Sequence, residues 1–229
     1  AGALMSMNIH RIEVTPKHGE GMVDVRGEVI RRQLLDNHNI LIKNISSVVG
    51  FLVKADLDEA TISKDVEILF ADPIIELGKC NKNILENKDI FQHRPDAVIC
   101  IGFKPGVTDN PGTAALDGLR TLHPNIAADS SISTTITYAL NGFSEDVDLD
   151  YLAKQLHNPL IQKAIVKDTR RRSVLIPQLD FPERPNYEYQ QPNVVDLEVS
   201  DEELIRISEE GILALSLLEM QTIREHYRK

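Results

Sequence analysis

The chain has 229 residues, with 35 Asp or Glu against 25 Lys or Arg, a formal charge of −10, 42% hydrophobic and 5% aromatic residues, and no Trp. That length admits one large domain or two small ones with a real core, and the apolar fraction argues against wholesale disorder. An acidic chain poor in aromatics lacks the basic face and stacking platforms of a nucleic-acid binder. No stretch reaches the ~18 apolar residues of a membrane span, and no signal peptide opens the sequence, so a soluble cytoplasmic protein is expected.

Ala1 to Ser6 precede a plausible native start at Met7 and are set aside as an expression remnant. Ile12 and Val14 alternate with Arg11, Glu13 and Thr15, the two-residue period of a strand with one buried face. Val25, Val29, Ile30 and Leu34 suit a helix, and Ile40 to Ala55, rich in Ile, Val and Ser, suits two antiparallel strands. Ile62, Val66, Leu69 and Phe70 mark a second helix ended by Asp72-Pro73, since the residue before proline leaves the helical region. A short strand near Leu77 to Lys79 closes this unit.

The same order then recurs. Val98 to Phe103 reads as a strand apolar on both faces. A helix with Ala115, Leu119 and Leu122 follows, then strands over Ala127 to Leu140. A helix with Leu149, Leu152, Ala153 and Leu156 ends at Asn158-Pro159, and Ala164 to Lys167 closes the unit. Lys17, Gly19, Asp24 and Gly27 in the first copy correspond to Lys104, Gly106, Asp109 and Gly112 in the second, where Pro105 stands in the place of His18. Gly27 precedes Pro73 by 46 positions and Gly112 precedes Pro159 by 47, so the landmarks match at both ends of a ~70-residue unit. The reading is α+β: duplicated ferredoxin-like βαββαβ units with antiparallel sheets, joined as a pseudo-twofold internal dimer.

From Arg170 the chain changes character. Arg170-Arg171-Arg172 is followed by Pro177, Pro182, Pro185 and Pro192, which suits an extended, semi-rigid linker over 170–199. Ser200 to Glu203 and Ser216 to Glu219 are capping boxes that open two helices over 200–229. Val199 with Leu204, and Leu215 with Met220, are placed as staples, and Gly211 suits a left-handed cap. The last helix runs to Lys229, as expected of a domain cut short. The expected divisions are thus 1–6, a first repeat over 7–90, a second over 91–169, the linker and the helical start.

Candidate chemistry is sparse. Lys104 to Val107 lacks the glycines and trailing Lys-Ser or Lys-Thr of a phosphate loop, and Gly19 and Gly106 read as positive-φ turn residues. The histidines at 10, 18, 38, 93, 123, 157 and 226 are dispersed without ligand spacing. Ser130 to Thr135 has no glycine elbow and reads as the polar face of a strand, the three arginines read as solvated, and Cys80 and Cys100 have no CxxC spacing.

Lys104-Pro105-Gly106-Val107, Asp109-Asn110-Pro111-Gly112 and Asn158-Pro159-Leu160-Ile161-Gln162 resemble the K-P-G-V, D-P-x-G and N-P-V-I-E pattern of PurS, the small subunit of formylglycinamidine ribonucleotide (FGAM) synthase. The first repeat is a looser match, strongest at Asp72-Pro73-Ile74-Ile75-Glu76. The layout is similar to the N-terminal part of the single-chain form, PurL, where two fused PurS-like units precede a linker domain. This resemblance implies a role in de novo purine synthesis, in which ATP, formylglycinamide ribonucleotide and glutamine give the amidine, ADP, phosphate and glutamate. It implies partners in the synthetase and glutaminase domains or subunits, with ATP and Mg needed only in the intact enzyme. The family's W-S-E-H-C motif is absent, so no catalytic, cofactor-binding or metal-binding residue is assigned here, and Glu225-His226-Tyr227 does not inherit the histidine's role. The thirteen matching residues, Lys17, Gly19, Asp24, Gly27, Asp72, Pro73, Lys104, Pro105, Gly106, Asp109, Gly112, Asn158 and Pro159, are expected to be structural. One alternative stays open, a stand-alone regulatory module binding a metabolite at the seam between the halves; a homodimer is a further possible partner in either reading.

Overall fold

In the computed structural model, described for residues 7–17, 19, 22–91, 94–170 and 194–228, each of the six stretches with strand character enters a single sheet. The strands are β1 (Asn8–Pro16), β2 (Ile42–Ala55), β3 (Glu76–Cys80), β4 (Ala97–Phe103), β5 (Ser131–Phe143) and β6 (Gln162–Asp168). Their order is β3-β1-β2-β5-β4-β6 and every neighbouring pair is antiparallel. Four helices accompany the sheet: α1 (Val25–His38), α2 (Glu59–Asp65) continuing as a π-helix through Phe70, α3 (Asn110–Leu122) and α4 (Leu149–Leu156). The chain divides into two compact units at Pro185 and Asn186, and the second carries α5 (Asp201–Glu210) and α6 (Leu217–Tyr227). The fold is α+β. The repeats expected as separate segments 7–90 and 91–169 lie in one unit.

The main departure from expectation is that Ile42–Ala55 and Ser131–Phe143 are single long strands, where a pair of strands is expected in each. Ile42–Ala55 contains no Asn-Gly or Asp-Gly pair to turn a tight hairpin, and in Ser131–Phe143 the Asn141-Gly142 pair comes only at the end of the strand, where Gly142 takes φ 69°. Each half therefore runs strand, helix, strand, helix, strand. The two long strands pair with each other along nearly their whole length, from Ile42 opposite Phe143 to Lys54 opposite Ser131.

The pairing pattern repeats with an offset of 87. Ile12 faces Phe51 and Ile99 faces Tyr138, where 99 exceeds 12, and 138 exceeds 51, by that number. At the centre of the sheet Val49 faces Ile136, again 87 apart, so each of these residues sits opposite its own counterpart. The β2–β5 ladder is thus symmetric about that pair.

The helices do not stay over their own half. Leu34 of α1 is buried with Ile99 and Leu140 of the second half and Leu152 of α4, and Ile30 packs against the same cluster. Leu119 of α3 is buried with Ile12, Val53, Ile62 and Val66 of the first half, joined by Ala115 and Leu116. The exchange is reciprocal at the helix ends. The His38 ring meets the Tyr151 hydroxyl of α4 at 3.1 Å, and the His123 ring meets the Asp65 carboxylate of α2 at 2.7 Å. Neither half contains all the elements of its own core. The expected stripe on α1 is narrower than read, because Val25 and Val29 face solvent.

On the opposite sheet face, Ile84 and Leu85 pack on Val48, Val98 and Ala139, with Ile90 and Phe91 beside them. Glu13 anchors this crossing by accepting the Ile84 amide at 2.7 Å. In the Ser130 to Thr135 run, which enters strand β5 at Ser131, Ser130, Ser133, Thr134 and Thr135 are buried.

In the second unit Leu204 and Met220 are buried, and the Ser208 hydroxyl donates to the Leu215 carbonyl and accepts its amide. The capping box is complete at Ser216, while Glu203 turns from Ser200 to pair with Arg206. Gly211 is right-handed, and the left-handed positions are Ile212 and Ala214, both at φ 53°. Arg224 donates to the Val199 carbonyl and Arg228 pairs with Glu198, so these two linker positions pack with the helices. Most of the proline-rich segment, with Arg171 and Arg172, lies outside the described residues. Arg170 is not solvated: it pairs with Asp168 at 2.7 Å and lies 4.5 Å over the Phe143 ring.

Helix exchange dictates which substitutions couple. Leu34→Ala and Leu152→Ala each cost about 2–5 kcal/mol as buried truncations. Because the residues share one core, the double mutant should depart from additivity by roughly 0.5–3 kcal/mol, whereas Leu34→Ala combined with Ile62→Ala should be additive. Urea denaturation of the singles and doubles measures both.

Candidate functional site

The matched motif residues gather into two constellations, one per half. Asp24 caps α1, its Oδ1 accepting the Gly27 amide at 2.8 Å, and the same carboxylate accepts both the amide and the hydroxyl of Ser47 on β2. Asp109 caps α3 by accepting the Gly112 amide at 2.8 Å and takes the amide and hydroxyl of Thr134 on β5, at 2.6 and 2.9 Å. An aspartate at the N-cap satisfies an amide that the helix itself leaves unpaired. Here the second oxygen also pins the helix start to the central strand.

The glycine three residues on is explained by the same contact. A Cβ on Gly27 would lie 2.0 Å from the Ile45 carbonyl oxygen, and one on Gly112 would lie 2.5 Å from that of Ile132. The D-x-x-G spacing therefore places a cap and a bare backbone on one helical turn, so that helix and strand can touch. Pro111 sits in the first turn of α3, where its missing N–H costs nothing.

The lysines close the other end of each unit. Lys17 Nζ donates to the Pro73 carbonyl at 2.5 Å, and its amide donates to the Ile75 carbonyl at 2.9 Å. Lys104 Nζ donates to the Pro159 carbonyl, and its amide to that of Ile161 at 2.9 Å. Within each turn the side chain at the Asx position, Asp72 or Asn158, accepts the amide of Ile74 or Leu160, while Glu76 or Gln162 reaches back to the amide of 72 or 158. The D-P-I-I-E and N-P-L-I-Q motifs are thus one turn built twice. Ile74 and Leu160 stand out from these turns, 76% and 82% exposed. Gly106 takes φ 82° in the turn after Lys104 and Pro105. Gly19 makes an isolated bridge to Met22, and its immediate neighbours lie outside the described residues.

Among the described residues, the side chains around these motifs are engaged in turns and caps. Of the histidines, His10 bonds the Leu57 carbonyl at 2.9 Å, His157 bonds the Ala153 carbonyl at 2.6 Å, and His226 meets Tyr227 edge-on. His18 and His93 lie outside the described residues. Among the described residues no three His, Cys, Asp or Glu side chains gather as a metal ion would need. Cys80 and Cys100 are buried, and burial pushes the Cys80 thiol up. Tyr138 occupies the position of Phe51, and burial likewise raises its phenol. The motif residues found from sequence lie at these corners, apart from Gly19. Ser47 and Thr134, which complete the clamps, escaped notice because their signal is only a hydroxyl at matched positions.

No family model matches the chain, and no curated protein matches it.

Gly27→Ala should destabilise by at least about 1–3 kcal/mol, the range of overpacking, although alanine favours helix in an open position. Ser47→Ala removes a hydroxyl from the same carboxylate and should cost about 0.5–1.5 kcal/mol. Chemical denaturation checks both; neutrality of Gly27→Ala would contradict the close approach.

Proposed function

We propose that the chain is the N-terminal scaffold and interaction portion of an FGAM synthase of the PurL type. In this reading the two halves are copies of one PurS-like, ferredoxin-related unit, arranged as a pseudo-twofold pair. The observation that carries it is the double constellation: lysine on the Pro carbonyl and aspartate bridging helix to strand recur in both halves under one pairing register. The residues carrying the PurS resemblance are the ones that build those corners.

The contribution of such a domain is geometric. Ammonia released from glutamine must reach a distant synthetase site without being lost to water, and a rigid bridge fixes the two modules in the required orientation. Ile74 with Ile75, and Leu160 with Ile161, supply two matched apolar tips suited to gripping the synthetase and glutaminase parts. ATP and Mg would be handled by those parts.

Mixing the chain with separately produced synthetase and glutaminase modules should restore glutamine-dependent ADP release, and full activity without the chain would contradict the proposal. Ile74→Glu combined with Leu160→Glu should keep the melting temperature and weaken assembly about tenfold or more, the scale of a lost anchor residue. Titration of the modules against activity measures that.

A further inference from the structure

Asn141-Gly142 is the one Asn-Gly pair in the sequence, and it stands where the repeat does not ask for it. Under the offset of 87 that relates β2 to β5, its counterparts are Lys54 and Ala55, and Ala55 ends β2 fully buried and without a left-handed backbone. Gly142 instead takes φ 69°, and a Cβ there would lie 2.6 Å from the Cβ of Lys43. Both observations require glycine. The side chain that glycine lacks is also what shields a backbone nitrogen from the asparagine before it, so the end of β5 carries a chemical liability.

That liability is deamidation. The glycine nitrogen loses its proton and attacks the asparagine Cγ, the bond from Cγ to Nδ2 breaks, and ammonia leaves with the proton. The resulting succinimide takes up one water at either carbonyl, giving aspartate or isoaspartate. The Gly142 nitrogen and Asn141 Nδ2 are therefore the two atoms that must be released before the ring can close.

Both are held by the segment leading into β4. Asp96 Oδ2 accepts the Gly142 amide at 2.8 Å, and the Arg94 carbonyl accepts Asn141 Nδ2 at 3.1 Å. The Asp96 amide donates to the Leu140 carbonyl at 2.9 Å, and the Asp96 carbonyl accepts the Thr169 amide at 2.9 Å. The clasp thus spans Leu140 to Gly142 and is tied down just beyond β6. A carboxylate on the Gly142 amide opposes its deprotonation in two ways: the hydrogen bond favours the protonated form, and the negative charge disfavours a second one beside it.

We propose that Asn141 is a deamidation site and that Asp96 holds it closed. Reaction there replaces the Nδ2 donor by an oxygen facing the Arg94 carbonyl and adds a negative charge near Asp96. In the isoaspartate it also inserts one atom into the backbone of β5, so the step undoes the clasp that restrained it. This inference goes beyond the scaffold role and stands independently of it.

Incubation of the full chain, followed by mass spectrometry of the peptide carrying Asn141 with isoaspartate quantified, tests it. Asn141 should deamidate at least about tenfold more slowly in the folded chain than in the chain unfolded in guanidinium. Asp96→Ala should raise the folded-state rate about tenfold, the scale of one charge-assisted hydrogen bond. Asp96→Asn, which keeps the local shape and a neutral acceptor, should fall between. Leu34→Ala lowers global stability without touching the clasp and should leave the rate unchanged. Equal rates in the folded and unfolded chain, or no acceleration in either Asp96 variant, would overturn the proposal. So would an acceleration by Leu34→Ala as large as that by Asp96→Ala, which would make general stability the only protection.

Discussion

The antiparallel pairing of β2 with β5 is the contact on which the rest of the first unit depends. It joins two three-strand halves into one sheet, and its symmetry about Val49 and Ile136 places each crossing helix over the partner half. A break in that ladder would separate α1 from the core that holds Leu34, and α3 from the core that holds Leu119. Long strands are what make the arrangement possible: a hairpin within 42–55 would leave too few residues to span both the β1 partner and the β5 partner.

The polar motifs serve this geometry. Asp24 and Asp109 take backbone and hydroxyl donors from the central strands, and the glycines beside them allow contact that any side chain would block. Helix caps of this kind contribute about 0.5–2 kcal/mol each, modest beside core burial, yet they fix where each helix starts and therefore which way it crosses. The lysine and Asx-Pro turns do the same at the ends of β3 and β6. The halves deviate from the repeat in the second helix, twelve residues from Glu59 to Phe70 against eight in α4, and in the loop after the first helix, three residues against eight.

Much of this could be read from residues alone. The strand at Ile12 and Val14, the helix ends at Asp72-Pro73 and Asn158-Pro159, and the serine caps of α5 and α6 are local signals, and each appears at its expected place. The destination of the helices was not readable. Periodicity shows that Ile30 and Leu34 share a face, but it carries no information about which sheet half meets that face. Ser46, Ser47 and Gly50 look like breaks in sequence, whereas in the sheet Ser47 grips Asp24 and Gly50 makes room for Thr135, so each long strand runs through them. Gly211 was the natural choice for a left-handed cap, but the chain turns through Ile212 and Ala214 instead, in a loop tied to Ser208.

The central claim is that the two halves are one cooperative unit because each completes the other's core. Native-state hydrogen exchange of the β1 and β4 amides measures it most directly. The exchange of helices predicts one common opening free energy for both strands, equal to that of global unfolding, falling together when Leu34 is truncated to alanine. Two distinct opening energies, with only one of them affected by that substitution, would contradict it.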